Sequence, residues 1–284
     1  MNDIRGAVRA GADLLKRAGI TSYILDARLI LAHTLDKNTE WLLSRPEYFV
    51  DSDIRDSYMR SITERAAGRP VQYITGKCEF YSIPFYADER ALIPRPDTEL
   101  LAGLVIEAVG DTAMHIVDMG TGSGCIAVAV CMHCKNARVT AADISLDALS
   151  LAEKNAALHG VSDMIAFVSS DLFNGIDYTY KADVIVSNPP YINTGDINLL
   201  SDSVRLYEPK TALDGGDDGL HFYRRIAKES CGLLKENGRL FLETGCEQAK
   251  DVINILSGYP YGGFDIKRDL SGRDRVVCCT KGHM

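Results

Sequence analysis

Apolar residues recur every three or four positions over residues 3–68, for example Ile24, Leu25, Leu29, Ile30 and Leu31. This spacing is typical of amphipathic helices. Residues that cap helices precede the apolar segments: Thr39 is expected to cap a short helix that holds Trp41, and Asp51 or Ser52 a longer one. Gly68-Arg69-Pro70 is expected to end the pattern. The chain therefore begins with a predicted small helical bundle.

Between Gln72 and Pro94 the pattern changes to aromatic and β-branched residues in two short runs, 78–81 and 84–86, around a tight Ser-Ile-Pro connection. Such runs predict a β-hairpin. We expect this hairpin to link two domains.

Beyond Pro94, short apolar strands alternate with helical segments, as in a parallel sheet covered on both faces. Seven strands are predicted, at residues 114–119, 138–142, 165–169, 182–187, 239–243, 264–268 and 275–280. The last two are too close in sequence for a helical crossover, so one strand must be antiparallel. The predicted fold is α/β, with a seven-stranded, mostly parallel sheet and one antiparallel strand. The predicted domains are 1–75 (helical bundle), 76–92 (hairpin linker) and 93–284.

The composition excludes several classes of protein. No stretch approaches the roughly 20 apolar residues that span a bilayer, and the start lacks the apolar run of a signal peptide, so we expect a cytoplasmic protein without a membrane partner. The net charge of −8 argues against a protein that grips nucleic acid through phosphates. Residues 1–75 differ from the acidic chain as a whole, because they carry nearly equal numbers of opposite charges, 11 Lys and Arg against 10 Asp and Glu.

The eight cysteines are scattered and fit buried, reduced thiols better than a disulfide framework. Cys131 and Cys134 form a lone CxxC with no second pair at metal spacing. A metal site is not expected.

A glycine-rich loop follows the first predicted strand of the sheet and precedes an apolar helix. It comprises Gly120, Thr121, Gly122, Ser123 and Gly124. Closely spaced glycines let a backbone turn sharply and approach a ligand. About twenty residues later the second strand ends at Asp143, whose carboxylate suits both hydroxyls of a ribose. Either NAD or S-adenosylmethionine satisfies this pattern.

The third strand is followed by Asp171 and Leu172. An acid at this place suits an adenine amino group, and the apolar neighbour suits the ring. The alternative is an ordinary helix cap.

The fourth strand stops at Asn188-Pro189-Pro190-Tyr191, the most specific short motif in the chain. The prolines offer carbonyl acceptors without competing N–H donors, and Asn188 adds a side-chain oxygen, so an incoming NH₂ group can donate two hydrogen bonds. An amide or aromatic amino nitrogen is a poor nucleophile, and such bonds orient its lone pair and stabilise developing positive charge. Tyr191 is expected to pack on the planar substrate group.

This motif together with a GxGxG loop resembles class I amino-methyltransferases of Rossmann-like fold. Further segments narrow the resemblance to the HemK/PrmC family, the glutamine N5-methyltransferases of class I peptide chain release factors. These segments are Gly68-Arg-Pro-Val-Gln-Tyr73, Leu92-Ile-Pro-Arg-Pro-Asp-Thr-Glu99, Glu208-Pro and Ala212-Leu-Asp-Gly-Gly216.

The resemblance implies S-adenosylmethionine as cofactor, bound by Gly120 to Gly124, Asp143, the Asp171-Leu172 segment and Asn188. It implies Asn188, Pro189, Pro190 and Tyr191 as contacts of the glutamine in a Gly-Gly-Gln loop, with Asn188, Pro189 and Tyr191 as the catalytic residues. Some relatives carry tryptophan at the position of Leu172. The segment Leu242-Glu243-Thr244-Gly245 also departs from the usual Glu-Ile-Gly.

Two segments keep open interpretations. In one interpretation of the segment 92–99, Arg95 and Glu99 shape the entrance of the cofactor site. In the other, the adjacent prolines stiffen a domain junction and Asp97 or Thr98 caps the next helix. The amino-terminal helices are expected to hold the release factor while its loop reaches the site.

Alternatives to this function are a glutamine methyltransferase of a ribosomal protein, a DNA N6-adenine methyltransferase that flips its base, and a non-catalytic module that kept the fold. The acidic chain without a basic insert counts against DNA.

Overall fold

The computed structural model describes residues 2–282, and the chain divides into two compact units. One unit holds the chain up to Lys77 together with Ser201–Tyr207, and the other holds Cys78–Leu200 and the chain from Glu208 onward. The inclusion of Ser201–Tyr207 in the first unit has no signal in the sequence.

Five helices of the first unit precede the sheet: α1 Ile4–Arg17, α2 Tyr23–Thr34, α3 Thr39–Ser44, α4 Ser52–Ala66 and α5 Val71–Thr75. Their core includes Leu15, Ile30 and Ile62, none of which is exposed. A buried ion pair of 2.7 Å between Arg65 Nε and Asp26 Oδ2 joins α4 to α2.

Two details of this bundle differ from expectation. Asn38, not Thr39, caps α3: its side chain accepts a hydrogen bond of 2.9 Å from the Trp41 amide, while Thr39 is already the first helical residue. Pro70 does not end the bundle but occupies the N-cap position of α5, where no helical hydrogen bond requires its missing N–H. Asp51 caps α4 as expected, accepting from the Ile54 amide at 2.9 Å.

The hairpin consists of β1 Lys77–Phe80 and β2 Ile83–Tyr86, which form a two-stranded sheet. Tyr81 and Ser82 both have positive φ, 55° and 57°, as a two-residue type I′ turn requires. Neither residue favours this conformation. The Tyr81 amide donates a 2.9 Å hydrogen bond to Glu99 Oε1, which holds the turn.

The remaining helices and strands alternate over much of the chain. They are α6 Thr98–Val109, β3 His115–Met119, α7 Cys125–His133, β4 Arg138–Asp143, α8 Leu146–Leu158, β5 Ile165–Ser169, β6 Ala182–Ser187, α9 Asp202–Arg205, α10 His221–Leu233, β7 Leu234–Glu243, α11 Ala249–Leu256, β8 Tyr261–Arg268 and β9 Asp274–Lys281. The alternation is interrupted where β6 follows β5, α10 follows α9 and β9 follows β8. Helix α9 lies within the segment that belongs to the first unit.

Seven strands form one sheet in the order β5-β4-β3-β6-β7-β9-β8. Strand β9 pairs antiparallel with both neighbours and the other pairings are parallel, so the predicted sheet is confirmed. Apolar clusters bury both faces, with α6, α7 and α8 on one and α10 and α11 on the other.

The chain order reverses between β3 and β6. Met119, the last residue of β3, is level with Ala142 of β4 and Ser187 of β6. The loops after these three strands therefore leave the sheet at one edge, the place where open α/β sheets bind ligands.

Candidate active site

The glycine loop turns the chain from β3 into α7 through three left-handed residues. Gly120, Gly122 and Gly124 have φ of 70°, 55° and 79°, a region that other residues enter only with strain. A Cβ on Gly124 would lie 2.9 Å from the Cβ of Ala152 in α8. Gly124 is thus required by packing, while Gly120 and Gly122 line an open cavity.

Asp118, two residues before the loop, holds it from inside the sheet. Its Oδ2 accepts hydrogen bonds from Thr121 Oγ1 at 2.6 Å and from the Ala127 amide at 3.2 Å. Burial raises the pKa of Asp118 to about 6, against the effect of these two bonds.

Asp143 ends β4 and is held by two backbone amides. Gly122 donates to Oδ2 and Ser145 to Oδ1, both at 2.9 Å. Each carboxylate oxygen keeps a further lone pair, so both can accept from a pair of vicinal hydroxyls. The carboxylate is thereby aimed by the glycine loop itself.

The loop after β5 is fastened by Ser170. Its hydroxyl donates to the Leu172 carbonyl and accepts from the Gly175 amide at 2.7 Å. This fastening supports Leu172 at a φ of 48°. Asp171 Oδ1 accepts a hydrogen bond of 2.8 Å from Arg225 in α10, a partner that the sequence does not indicate.

Asn188 follows β6 and its side chain has a defined direction. Its Nδ2 donates to Thr98 Oγ1 at 3.1 Å, and no residue within 2–282 donates to its Oδ1. The Pro189 carbonyl likewise accepts no hydrogen bond from the described residues. The site thus keeps two neighbouring free acceptors.

A cavity of about 820 Å³ joins these loops, a size typical of ligand sites. Its wall contains most of the residues predicted from the sequence: Gly120, Thr121, Gly122, Ser123, Asp143, Asp171, Leu172, Asn188, Pro189 and Pro190. Gly124 and Tyr191 are not among its lining residues within the described chain.

Tyr191 instead packs among the buried residues around α10 and α11. Its carbonyl accepts a 3.0 Å hydrogen bond from Gln248 Nε2, whose Oε1 accepts from the Gly245 amide at 3.0 Å. A Cβ on Gly219 would lie 2.4 Å from the same carbonyl. The loops around Gly219 and Gly245 therefore fix the backbone of the motif from behind.

Three further residues belong to the surroundings of the site: Arg95, whose role the sequence left open, Thr98, which the sequence offered as a helix cap, and Glu208, which had no predicted role. Arg95 lines the cavity and one of its terminal nitrogens contacts both oxygens of buried Glu208, at 2.7 and 2.8 Å. Burial raises the pKa of Glu208, and Arg95 opposes this shift. Thr98 binds Asn188 although Asp97 occupies the cap position of α6 without a side-chain cap bond. Glu99 holds the hairpin turn and does not line the cavity.

No group of three or more His, Cys, Asp or Glu side chains in the described part of the chain is arranged to hold a metal ion. Burial raises the pKa of Cys131 to about 12 and also raises that of Cys134, which keeps both thiols protonated. Within residues 2–282 every helix is too short or too polar to span a bilayer.

The chain matches two family models, the PrmC N-terminal domain over residues 6–76 and the methyltransferase small domain over residues 97–204. A methyltransferase from Pyrococcus furiosus superposes with a TM-score of 0.54 at 15% identity, covering 72% of this chain and 91% of that one, which shows a shared fold. Fold and matches together define the protein as a methyltransferase of class I, Rossmann-like fold.

Two curated relatives narrow the class. The release factor glutamine methyltransferase of Clostridium acetobutylicum is 35% identical over 98% of this chain and 99% of its own length. The protein of the same name from Fusobacterium nucleatum is 38% identical over 95% and 76%. The chain therefore belongs to the release factor glutamine methyltransferase family, and the resemblance to HemK/PrmC proteins is confirmed.

Proposed function

We propose that this protein transfers a methyl group from S-adenosylmethionine to the side-chain amide nitrogen, N5, of the glutamine in the Gly-Gly-Gln motif of class I peptide chain release factors. The observation that carries the proposal is the pair of free acceptors, Asn188 Oδ1 and the Pro189 carbonyl, in the wall of the cavity at the switch point of the sheet. The names of the relatives support the choice of substrate.

The residues present fit the cofactor. The cavity has a carboxylate with two spare acceptor positions at Asp143, a glycine loop whose backbone is open to it, and the apolar Leu172 beside Asp171. These residues, with Thr121 and Ser123, would hold the cofactor, which supplies an electrophilic methyl group when bound. Asp171 is already paired with Arg225, so its contact with an adenine amino group would use the second carboxylate oxygen.

The acceptor pair suits the planar NH₂ group of a side-chain amide. Two N–H bonds donated to Asn188 Oδ1 and the Pro189 carbonyl fix the plane of the amide and leave the nitrogen lone pair directed into the cavity. The same oxygens stabilise positive charge that develops on the nitrogen during methyl transfer. Pro190 lines the wall beside them, while Tyr191 supports the motif from the apolar side.

The test is incubation of the protein with S-adenosylmethionine and a purified release factor, followed by peptide mass spectrometry. We expect one added methyl group, on the glutamine of the Gly-Gly-Gln motif, and none on a factor in which that glutamine is replaced by glutamate. A ribosomal protein preparation and duplex DNA serve as competing substrates. Methylation of either one in place of the release factor would contradict the proposal.

Asn188→Ala tests the mechanism. Loss of one preorganised acceptor is expected to lower kcat by roughly 100-fold or more. Asn136→Ala is the matched control, because Asn136 is an exposed asparagine whose amide binds the Asp111 carbonyl away from the cavity. Full activity of Asn188→Ala would refute the role of the acceptor pair.

The amino-terminal unit has a proposed role in holding the release factor. Its nearly balanced charge, against a chain of net charge −8, supports this role. A variant without residues 1–70 that still binds the cofactor and shows a folded sheet by circular dichroism is expected to lose activity on the full-length factor. Undiminished activity of that variant would contradict the role.

A further inference from the structure

Glu243 is a buried carboxylic acid directly behind the candidate active site. It is the last residue of β7, and Leu242 before it pairs with Ser187 of β6, so Glu243 stands level with Asn188. The side chain is 1% exposed, and its Oε2 has no hydrogen-bond partner among the described residues. A buried acid without full hydrogen bonding costs stability and calls for an explanation.

The neighbours of Glu243 connect it to the acceptor pair. Burial raises the pKa of Glu243 to about 7, while hydrogen bonding from Thr98 and Asn188 and the positive charge of Arg275 oppose the shift. Thr98 is 3% exposed and its hydroxyl also accepts from Asn188 Nδ2. Glu243, Thr98 and Asn188 therefore form one polar group of side chains, buried at Glu243 and Thr98 and open to the cavity at Asn188.

Other ionisable residues surround this group from three elements. Arg275 of β9 forms ion pairs with Asp97 at 3.1 Å and with Asp269 at 3.3 Å. Asp97, before α6, raises the pKa of Glu243 and Arg275 lowers it. Burial raises the pKa of the Tyr191 and Tyr223 phenols, and the charge of the Glu243 carboxylate adds to both shifts.

We infer that Glu243 is a positioning residue that fixes the side-chain amide of Asn188 with its NH₂ turned inward and its carbonyl oxygen turned to the cavity. This inference rests on the proposed function, because it explains how the acceptor is presented to a substrate NH₂. Glu243 does not itself line the cavity.

The physical reason is the direction in which each hydrogen bond between these side chains is donated. An ionised carboxylate only accepts, so the Thr98 hydroxyl donates to it and offers its own oxygen to the Asn188 NH₂. The reversed amide would place its carbonyl oxygen against the carboxylate and its NH₂ toward the substrate NH₂, and both contacts would be repulsive. The acceptor at the cavity is therefore selected by a negative charge behind it.

Protonation of Glu243 weakens this selection, because a carboxylic acid also donates and accommodates either orientation of the amide. Activity that depends on the orientation should rise with pH as Glu243 ionises. Glu243→Gln keeps an acceptor oxygen for Thr98 but does not titrate. Glu243→Ala removes the acceptor altogether.

The experiment measures kcat, KM and the pH profile of wild type, Glu243→Gln and Glu243→Ala with the release factor. We expect Glu243→Ala to lower kcat by roughly 10- to 100-fold, the effect of a lost hydrogen bond to a charged group, with the KM for cofactor little changed. Glu243→Gln is neutral and, like the protonated acid, both donates and accepts, so it should hold the activity near the low-pH level of wild type and lose the pH dependence near pH 7. Thr98→Val should resemble Glu243→Ala, and Thr140→Val is its control, since Thr140 binds His115 and lies outside the cavity.

A readout without substrate separates this inference from the proposed function. The nuclear magnetic resonance signal of the Asn188 side-chain amide can be assigned because it is missing from the spectrum of Asn188→Ala. We expect this amide to be ordered in wild type and to exchange its protons with solvent faster in Glu243→Ala. If wild type failed to methylate the release factor, the proposed function would fail and this readout would still apply. An unchanged Asn188 amide or unchanged kcat in Glu243→Ala would overturn the inference, as would a Glu243→Gln variant whose activity at high pH equals that of wild type.

Discussion

The burial of Glu243 makes a quantitative prediction about stability and pH. The pKa of Glu243 rises from its ordinary value of 4.5 to about 7 in the folded protein, chiefly by desolvation. The folded state therefore binds more protons than the unfolded state between these two pH values, and the contribution of this group to stability falls as pH rises through that window. Above pH 7 the ionised carboxylate destabilises the fold.

The magnitude follows from the difference between the two pKa values. A difference of about 2.5 pKa units, at roughly 1.4 kcal/mol per unit, lowers the free energy of unfolding by about 3 kcal/mol at alkaline pH. At pH 5 the folded protein already holds Glu243 protonated, and the cost is about 1 kcal/mol. Glu243→Gln removes the titration, so its stability relative to wild type should be about 2 to 3 kcal/mol more favourable at pH 8 than at pH 5.

The assay must report on the unit that holds Glu243. The single tryptophan, Trp41, lies in α3 of the other unit, so its fluorescence is unsuitable. Hydrogen exchange of the backbone amides in β3, β6 and β7 gives the free energy of opening of the sheet at each pH. Glu247→Gln, the loss of an exposed carboxylate nearby, should change this free energy by less than about 0.5 kcal/mol at either pH. An equal effect of Glu243→Gln at both pH values would refute the reasoning.

Three further predictions concern buried contacts. Tyr58→Phe should stabilise the protein by about 1 kcal/mol in urea denaturation, because the buried Tyr58 hydroxyl has no hydrogen-bond partner in the described chain. A loss of stability would contradict this expectation. Gly124→Ala should destabilise the protein by roughly 1 to 3 kcal/mol in thermal unfolding, because the added Cβ would lie 2.9 Å from helix α8 and the φ of residue 124 is 79°. An unchanged midpoint of thermal unfolding would be inconsistent with this packing. Gln248→Ala should lower kcat more than cofactor affinity, because it releases the Tyr191 carbonyl; calorimetry showing the reverse would disprove the support role.

The sheet and the glycine loop were predictable because their signals are local. Most strands are short apolar runs, and the three glycines that need positive φ lie within five residues of one another. The strand predicted at 239–243 is longer in the structure, where β7 begins at Leu234. Its first residues are polar and include Asn237 at a φ of 60°, so the early part of the strand lacks an apolar pattern.

The support of Asn188 was not predictable from the sequence, because its members meet only in three dimensions. Asn188 and Thr98 are 90 residues apart. Thr98 has the sequence character of a helix cap, and Glu243 that of a strand end. The sequence predicts Tyr191 beside the substrate, and the structure adds that this half-buried residue packs against the apolar cluster around α10 and α11, a contact that no local pattern reveals.

Two features bear on the choice between glutamine and adenine as methyl acceptor: the groups that bind the NH₂, and the surface that the rest of the substrate must approach. In the proposed function, Asn188 Oδ1 and the Pro189 carbonyl bind a planar NH₂ group and not the molecule that carries it, so this pair suits both acceptors. The carrier is selected by the surface that approaches the cavity. A chain of net charge −8 repels the phosphates of a duplex at long range, whereas a protein loop brings no such charge. In the proposed function, the chemistry of the NH₂ is therefore decided within a few ångströms of Asn188, and the net charge of the whole molecule remains our argument against a nucleic-acid substrate.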